Sequence, residues 1–349
     1  MGTMSCRTCT KDSECGSDVC DVDAGTCTSS SLVLYVSPTG SAASSCAQNA
    51  PCTFDHAIAL ADPTRYVIRL SPGTYNGNEV ISGKQVIIDG TGSNLTGAPV
   101  NADAIDVKTG ATVTVIGLAL TALTGTAAVD CDGGTVTLTR VTINSLQAGL
   151  VANPPSGSCT ATVDRCLLKT QSASQPVIIA TTNVILHVVR STIDGGDGVE
   201  LFTSSAIAQI ENSVFRNQTG SDGALTGPGH FTVSFTTFVD APVKCTSSTV
   251  ATISNSILAP TGQDAVSGTA CTVNDSILIP QTGVVSGSNN HVNVDPLFKD
   301  KANGDFSLQS ASPAIDAAAP NATVPSVDFV GTPRPQGPRA DLGAFEYKP

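Results

Sequence analysis

The chain has 349 residues, of which 13% are charged and 4% aromatic, and a net charge of −12. An average globular chain is roughly 25% charged, so this scarcity of charge, with 32 Gly and many Val and Thr, describes strands and turns. The acidic balance and the lack of a basic, aromatic patch exclude nucleic acid as a partner, and the uncharged residues 109–129, broken by Gly and six Thr, read as strands rather than a membrane span.

Twelve cysteines, an even number with several at pair-like spacings, point to an oxidising compartment, extracellular or on a cell envelope. The first five residues, MGTMS, read as an expression remnant ahead of Cys6. Ser5 before Cys6 weakly fits the small residue that precedes a lipidated cysteine, so a lipid anchor at Cys6 is one expectation, and an ordinary thiol or bridge the other. Residues 1–31 form a cysteine-rich segment in which Cys9, Cys15, Cys20 and Cys27 fall within 19 residues holding almost nothing apolar. Bridges or a metal must hold such a segment. Zinc requires two close ligand pairs and only Cys6 and Cys9 are so spaced, while calcium-loop spacing is missing. Two disulfides of open connectivity are therefore expected.

Residues 32–85 are expected to form an N-terminal cap. Cys46 and Cys52 flank AQNAP and read as a local bridge, and TFDHAIALA, residues 53–61, carries the one convincing helical period, with Thr53 as N-cap and Ile58, Leu60 and Ala61 apolar. Laid across the first coil, that helix covers an open β edge.

Beyond the cap, repeats dominate the chain. Aligned on their last apolar residue, VTVIGLAL ends at Leu120, LTRVTI at Ile143, VDRCLL at Leu168, VVRSTI at Ile193, IENSVF at Phe215, SFTTF at Phe238, ISNSIL at Leu258 and VNDSIL at Leu278. The steps are 23, 25, 25, 22, 23, 20 and 20, within the range of solenoids and β-helices. Inside one repeat, DGVELF places Val199 and Leu201 inward and Glu200 outward. A second strand, AIAQI, comes next, and Ser213 and Phe215 lead a third. Three short strands per coil, each paired with its equivalent in the next coil, predict an all-β, right-handed parallel β-helix of roughly eight or nine coils and about 40 Å.

Asn212, Asn255 and Asp275 share one turn of the coil, where a short polar side chain tolerates the left-handed conformation, and stacked Asn side chains there can bond to one another. Arg140, Arg165 and Arg190 take that place in three successive coils. Like charges about 5 Å apart repel, so this ladder is solvated, relieved by Asp164 and Glu211, or meant for an anionic ligand. Cys131 and Cys245 share a place on the first strand, and Cys159 and Cys271 enter the second, so Cys131–Cys159 and Cys245–Cys271 are predicted disulfides between adjacent coils, each contributing ~3 kcal/mol in the loop-entropy model. Cys166 stands where other coils have Ser191, Ser213, Ser256 and Ser276, and reads as an inert buried thiol.

YVSPTGS, TFDHAIALA, IRLSPGTYNG and VIIDG resemble the secreted right-handed β-helix repeat proteins of the pectin-lyase-like superfamily. VDPLFKD, GDFSLQSASPAIDAA and DFVGTPRPQGPRADLGAFEY resemble the closing segment of bacterial surface proteins in that family, here residues 292–349. The four-cysteine segment resembles, less specifically, those of predicted lipoproteins in myxobacteria. The proline-rich tail, residues 313–338, is expected to run over the last coil as a second cap.

The resemblance implies that a catalytic member would carry carboxylates and an Arg or Lys on outward positions of the first strand. The alternation gives these as Asp130, Val151, Ile178, Glu200, Leu225, Lys244 and Ser267, and Asp130 and Glu200, three coils apart, are not a pair spaced for glycoside hydrolysis. GPGH, residues 227–230, is not the GHG of polygalacturonases. The remaining cluster is Asp194, Asp197 and Glu200, with Asp222 aligned to Asp197 one coil later and His230 in the next turn. Turn chemistry accounts for Asp197 and Asp222, each before Gly; calcium binding or catalysis is the sharper reading. His56, His187 and His291 stand alone. The expectation is a monomeric surface β-helix with no obligatory cofactor, recognising polysaccharide or serving as an adhesion module, with an inert spacer and a polysaccharide lyase or hydrolase as the alternatives.

Overall fold

The computed structural model describes residues 9–15, 19–21, 25–96, 102–123, 126–245 and 249–349; Cys6 lies outside them. Parallel pairing joins each residue of the sequence alignment to its equivalent: Leu120 to Ile143, then Leu168, Ile193, Phe215, Phe238, Leu258 and Leu278. The column begins at Tyr75 and Leu95 and ends at Val292. Three sheets result. The first runs from Glu79–Ile81 to Leu225–Thr226, the second from Val33–Val36 to Thr272–Asn274 and the third from Gly73–Asn76 to His291–Val292. Among the described residues they hold 7, 11 and 11 strands, and the chain is a right-handed parallel β-helix.

Alternation explains the core. In Asp197–Leu201, Val199 and Leu201 are buried and Glu200 is partly exposed, because successive side chains leave a strand on opposite faces. Inside the turn before the third sheet, polar side chains form a ladder. The Ser191 hydroxyl donates to Val189 O at 2.8 Å and accepts from the Cys166 N–H at 3.0 Å, and Ser213, Thr236, Ser256 and Ser276 repeat the first contact in their coils. These hydroxyls are buried but satisfied, which removes the usual cost of a polar core group. Cys166 occupies the same column, buried and unpaired, its thiol pushed up to about 12 by burial.

The adjoining turn is left-handed throughout, with φ of 53° at Arg140, 54° at Arg165, 46° at Arg190, 50° at Asn212, 49° at Asn255 and 48° at Asp275. Phe235 stands there too, at 47°. The expected Asn-to-Asn ladder does not form at Asn212 and Asn255. Asn212 Nδ2 donates to Val327 O at 2.7 Å, and Asn255 Oδ1 accepts from the Ala319 N–H at 2.8 Å, because the tail reaches them first.

That contact corrects the expectation for residues 313–338. The tail lies along the flank of the rod rather than over its end. Phe298, Phe306, Leu308, Leu342 and Phe345 pack on Val214, Phe235, Val239, Ile257 and Ile277, which point out of the third sheet and its turn. At its centre Arg334, 8% exposed, donates to Asp341 O at 3.0 Å and Gly343 O at 2.8 Å. The same guanidinium lies 3.7 Å from a Glu346 carboxylate oxygen and 5.0 Å from the Phe235 ring centre.

At the other end, helix α1 (Phe54–Leu60) buries Phe54, Ala57 and Ile58 against the first strands. Of the apolar residues at its end, Ile58 and Ala61 are buried and Leu60 is 40% exposed. The disulfides Cys131–Cys159, Cys245–Cys271 and Cys46–Cys52 are formed, and the N-terminal segment is closed by Cys9–Cys20 and Cys15–Cys27. The two inter-coil bridges are not equivalent: the pairing registers put Cys271 on the column of Ala161, two positions beyond Cys159.

Candidate functional site

The register of the first sheet defines its outward row. Asp130 pairs with Val151, Val151 with Ile179, Ile179 with Glu200 and Glu200 with Thr226, while Lys244 pairs with Ser267. Two positions therefore differ from the sequence reading. Ile178 and Leu225 are inward and buried, and Ile179 and Thr226 take their places. Continuous apolar runs such as PVIIA hide the phase, since either of two adjacent Ile residues satisfies the alternation.

The larger difference is at the start of the row. Asp106 pairs directly with Asp130, so two carboxylates do stand on neighbouring coils. Beside them Lys108 Nζ lies 2.6 Å from Asp106 Oδ2 and 2.5 Å from Asp132 Oδ2. Asp103 Oδ1 is fixed by the Ala127 N–H at 2.8 Å and the Thr126 hydroxyl at 2.5 Å. Asp106 Oδ1 and Asp130 Oδ1 are buried and accept no hydrogen bond. Burial, aided by Asp132, Asp103 and Asp106, pushes Asp130 up to about 7, while Lys108 is raised by its bonds to Asp106 and Asp132. Lys108 is thus held as a cation and is unsuited to proton abstraction. The signal for Asp106 was present in AIDV, residues 104–107, which alternates like AAVDC.

The other sequence candidates are dispersed. Asp194, 4% exposed, bonds Arg216 Nη2 at 3.0 Å and Asn217 Nδ2 at 3.0 Å. Asp197 Oδ1 accepts the N–H groups of Asp222 at 2.8 Å and Gly223 at 3.2 Å, an inter-coil turn lock. Asp222 is exposed and offset by one residue, since the register sets Gly223 opposite Asp197. Glu200 stands half-buried on the row, its carboxyl raised by burial and by Asp222 and Asp197. His230 begins a strand of the second sheet, between Ile207 and Val250, on a different face from Glu200. In the arginine ladder, Asp164 bonds Arg165 Nε at 3.0 Å and Arg190 Nη2 at 2.7 Å, the relief by Asp164 that the sequence offered.

The raised carboxyls make stability depend on pH. Asp130 and Glu79 are raised to about 7 and Asp341 to about 6, each chiefly by burial. Their folded values exceed their unfolded ones, so the native state holds protons that the unfolded chain has lost, and stability falls as pH rises from about 4 to 7. Thermal unfolding in chelator-containing buffer should give a Tm higher by about 3 °C or more at pH 5 than at pH 8; an unchanged or lower value at pH 5 contradicts these protonation states.

No protein-family model matches the sequence, and a comparison with curated proteins finds no similar one. Among solved structures the chain is similar to pectate lyase Pel9A, with a TM-score of 0.61 and 17% identity over 90% of this chain and 96% of that one. A PL6 family alginate lyase, AlyGC, is matched with a TM-score of 0.26 and 10% identity over 84% of this chain and 60% of that one. The first of these shows a pectin-lyase-like β-helix fold.

Proposed function

We propose that the protein recognises polysaccharide outside the cell, along the outward row of the first sheet. The observation that carries this reading is the Asp106–Asp130 pair, whose buried Oδ1 atoms lack a donor. Both side chains are partly exposed, so sugar hydroxyls can reach their carboxyl groups. Repetition of the row at about 4.8 Å per coil suits a ligand that is itself a polymer. With a net charge of −12, the protein repels polyuronates unless a cation intervenes, which favours a neutral polysaccharide. The five disulfides among the described residues support an oxidising, extracellular location.

One observation favours a second reading, hydrolysis. Asp130, raised to about 7, is a carboxyl able to donate a proton at neutral pH, with carboxylates beside it. A glycan array, with product analysis on whatever binds, tests both. Binding should weaken about 10-fold or more in Asp130→Ala and Asp106→Ala, and no binding to any glycan, or equal binding by both variants, overturns the proposal. Release of new reducing ends without unsaturated non-reducing ends, lost in Asp130→Asn, makes the protein a hydrolase; binding without release makes it a lectin-like module.

A further inference from the structure

The innermost column of the first sheet is apolar in every coil but one. Leu225 pairs with Val199, Val199 with Ile178, then Leu150, Val129 and Ile105, and the last partner of Ile105 is Glu79. Glu79 is 8% exposed. Its strand end is fixed by Asn78 and Glu79 N–H groups that both donate to Ala104 O, at 3.0 and 3.1 Å. Nothing offsets the charge: its carboxyl is raised to about 7 by burial and then by Asp55, with no hydrogen bond or cation among the causes. An isolated carboxylate in an apolar position is costly, and any of Ile, Val or Leu would fill the column as its neighbours do.

Helix α1 closes over this residue. Asp55, in its first turn, and Glu79 line a cleft of about 390 Å³ with Ser37, Asn76 and Asn78. No Lys, Arg or His lines it. Thr53, which also lines it, is the N-cap residue of α1, yet its hydroxyl makes no capping bond and is buried without any partner. The cleft is thus lined by a buried hydroxyl without a partner and a buried carboxyl, and every polar group of the wall is an oxygen or amide.

We propose that this cleft binds a divalent metal cation, calcium by its oxygen-only donor set, held by Glu79 and Asp55 with the Thr53 hydroxyl and amide oxygens of Asn76 or Asn78. Calcium takes 6–8 oxygen ligands and tolerates water among them, whereas zinc would call for nitrogen or sulfur. The ion cancels the Asp55–Glu79 repulsion. Its position, between α1 and the first strand of the first sheet, makes it a clamp that fastens the N-terminal cap to the coils.

Tyr75 also lines the cleft, its hydroxyl occupied by Ser71 O at 2.6 Å. With no Trp in the chain, terbium bound here is sensitised by Tyr75, which lines the cleft. Protein stripped with chelator should give saturable terbium emission on tyrosine excitation, displaced by calcium and unaffected by Asp130→Asn. Glu79→Gln should weaken terbium and calcium at least 10-fold while remaining folded, because it removes an uncompensated charge. Tyr75→Phe should lose emission yet keep the calcium-induced rise in Tm. Absent emission, emission undiminished in Glu79→Gln, or an equal calcium-induced Tm rise in wild type and Glu79→Gln overturns the site, and none of these outcomes touches polysaccharide binding.

Discussion

Replacing Arg334 by Met is expected to destabilise the tail by about 3–5 kcal/mol, the usual cost of leaving buried partners without their countercharge. Met retains contact with Phe235 but removes the donors to Asp341 O and Gly343 O. Three acids remain around the vacated place. Asp328 holds the N–H groups of Val330, Thr332 and Glu346, Asp341 those of Asp316 and Tyr347, and Glu346 those of Gln336 and Asp341. Arginine is the only cation among them, and burial lowers its own pKa against the opposing pull of Glu346, Asp328 and Asp341. Without it the carboxylates repel at neutral pH, and the segment should leave the flank. Limited proteolysis should then cleave within residues 292–349 under conditions where the wild type resists. The loss should shrink at pH 5, where Asp341, raised to about 6, takes up a proton. Wild-type protease resistance and Tm in the variant at pH 8 would show that apolar packing alone holds the tail.

The tail also marks where the sequence stopped being legible. The repeat alignment matched the pairing register residue by residue from Leu120 to Leu278, because stacked coils force like side chains into one column and a column survives in the sequence as a period. Contacts outside the period leave no such trace. The cover on the flank had a local signal all the same: the third strand is apolar on both faces in Ile257–Ala259, with Ile279 beside Ile277–Leu278, where earlier coils have Thr142 and Asn144 or Thr192 and Asp194 outside. Two-faced strands need two covers.

The candidate site shows the same division. Asp130 and Glu200 were placed outward by alternation alone, and the structure keeps them there. Asp106 escaped notice because it lies before the first aligned repeat, and Ile179 because its apolar run carries no phase. Lys108 shares a face with Asp106 two residues earlier, but its contact with Asp132 in the next coil is one that no spacing within one coil reveals. Asp194 and Asp197, clustered in sequence, are consumed by bonds to Arg216, Asn217 and the next coil. Nearness along the chain was a poor guide, and nearness across coils the better one.

Phe238→Ala should be the most damaging single truncation inside the rod. Phe215 and Phe238 stack between coils with ring centres 4.9 Å apart and planes 23° apart, both fully buried. Neighbouring positions of the column are filled by Ile193 and Leu258, which cannot extend into the space a lost ring leaves. The expected cost is about 3–5 kcal/mol for the cavity and transfer terms together, with a further ~1 kcal/mol for the lost ring pair. Because each coil touches only its neighbours, the damage should be local: hydrogen exchange should accelerate in the coils ending at Phe215, Phe238 and Leu258 and stay unchanged near Leu120. Phe238→Leu, matching the residue one coil on, should recover more than half of the loss. Thr142→Ala, on the outward face of the same sheet, should cost less than about 0.5 kcal/mol. Denaturant unfolding with all three variants measures these differences directly, and a Phe238→Ala loss no larger than that of Thr142→Ala would mean that the stacked column does not carry the cohesion between coils.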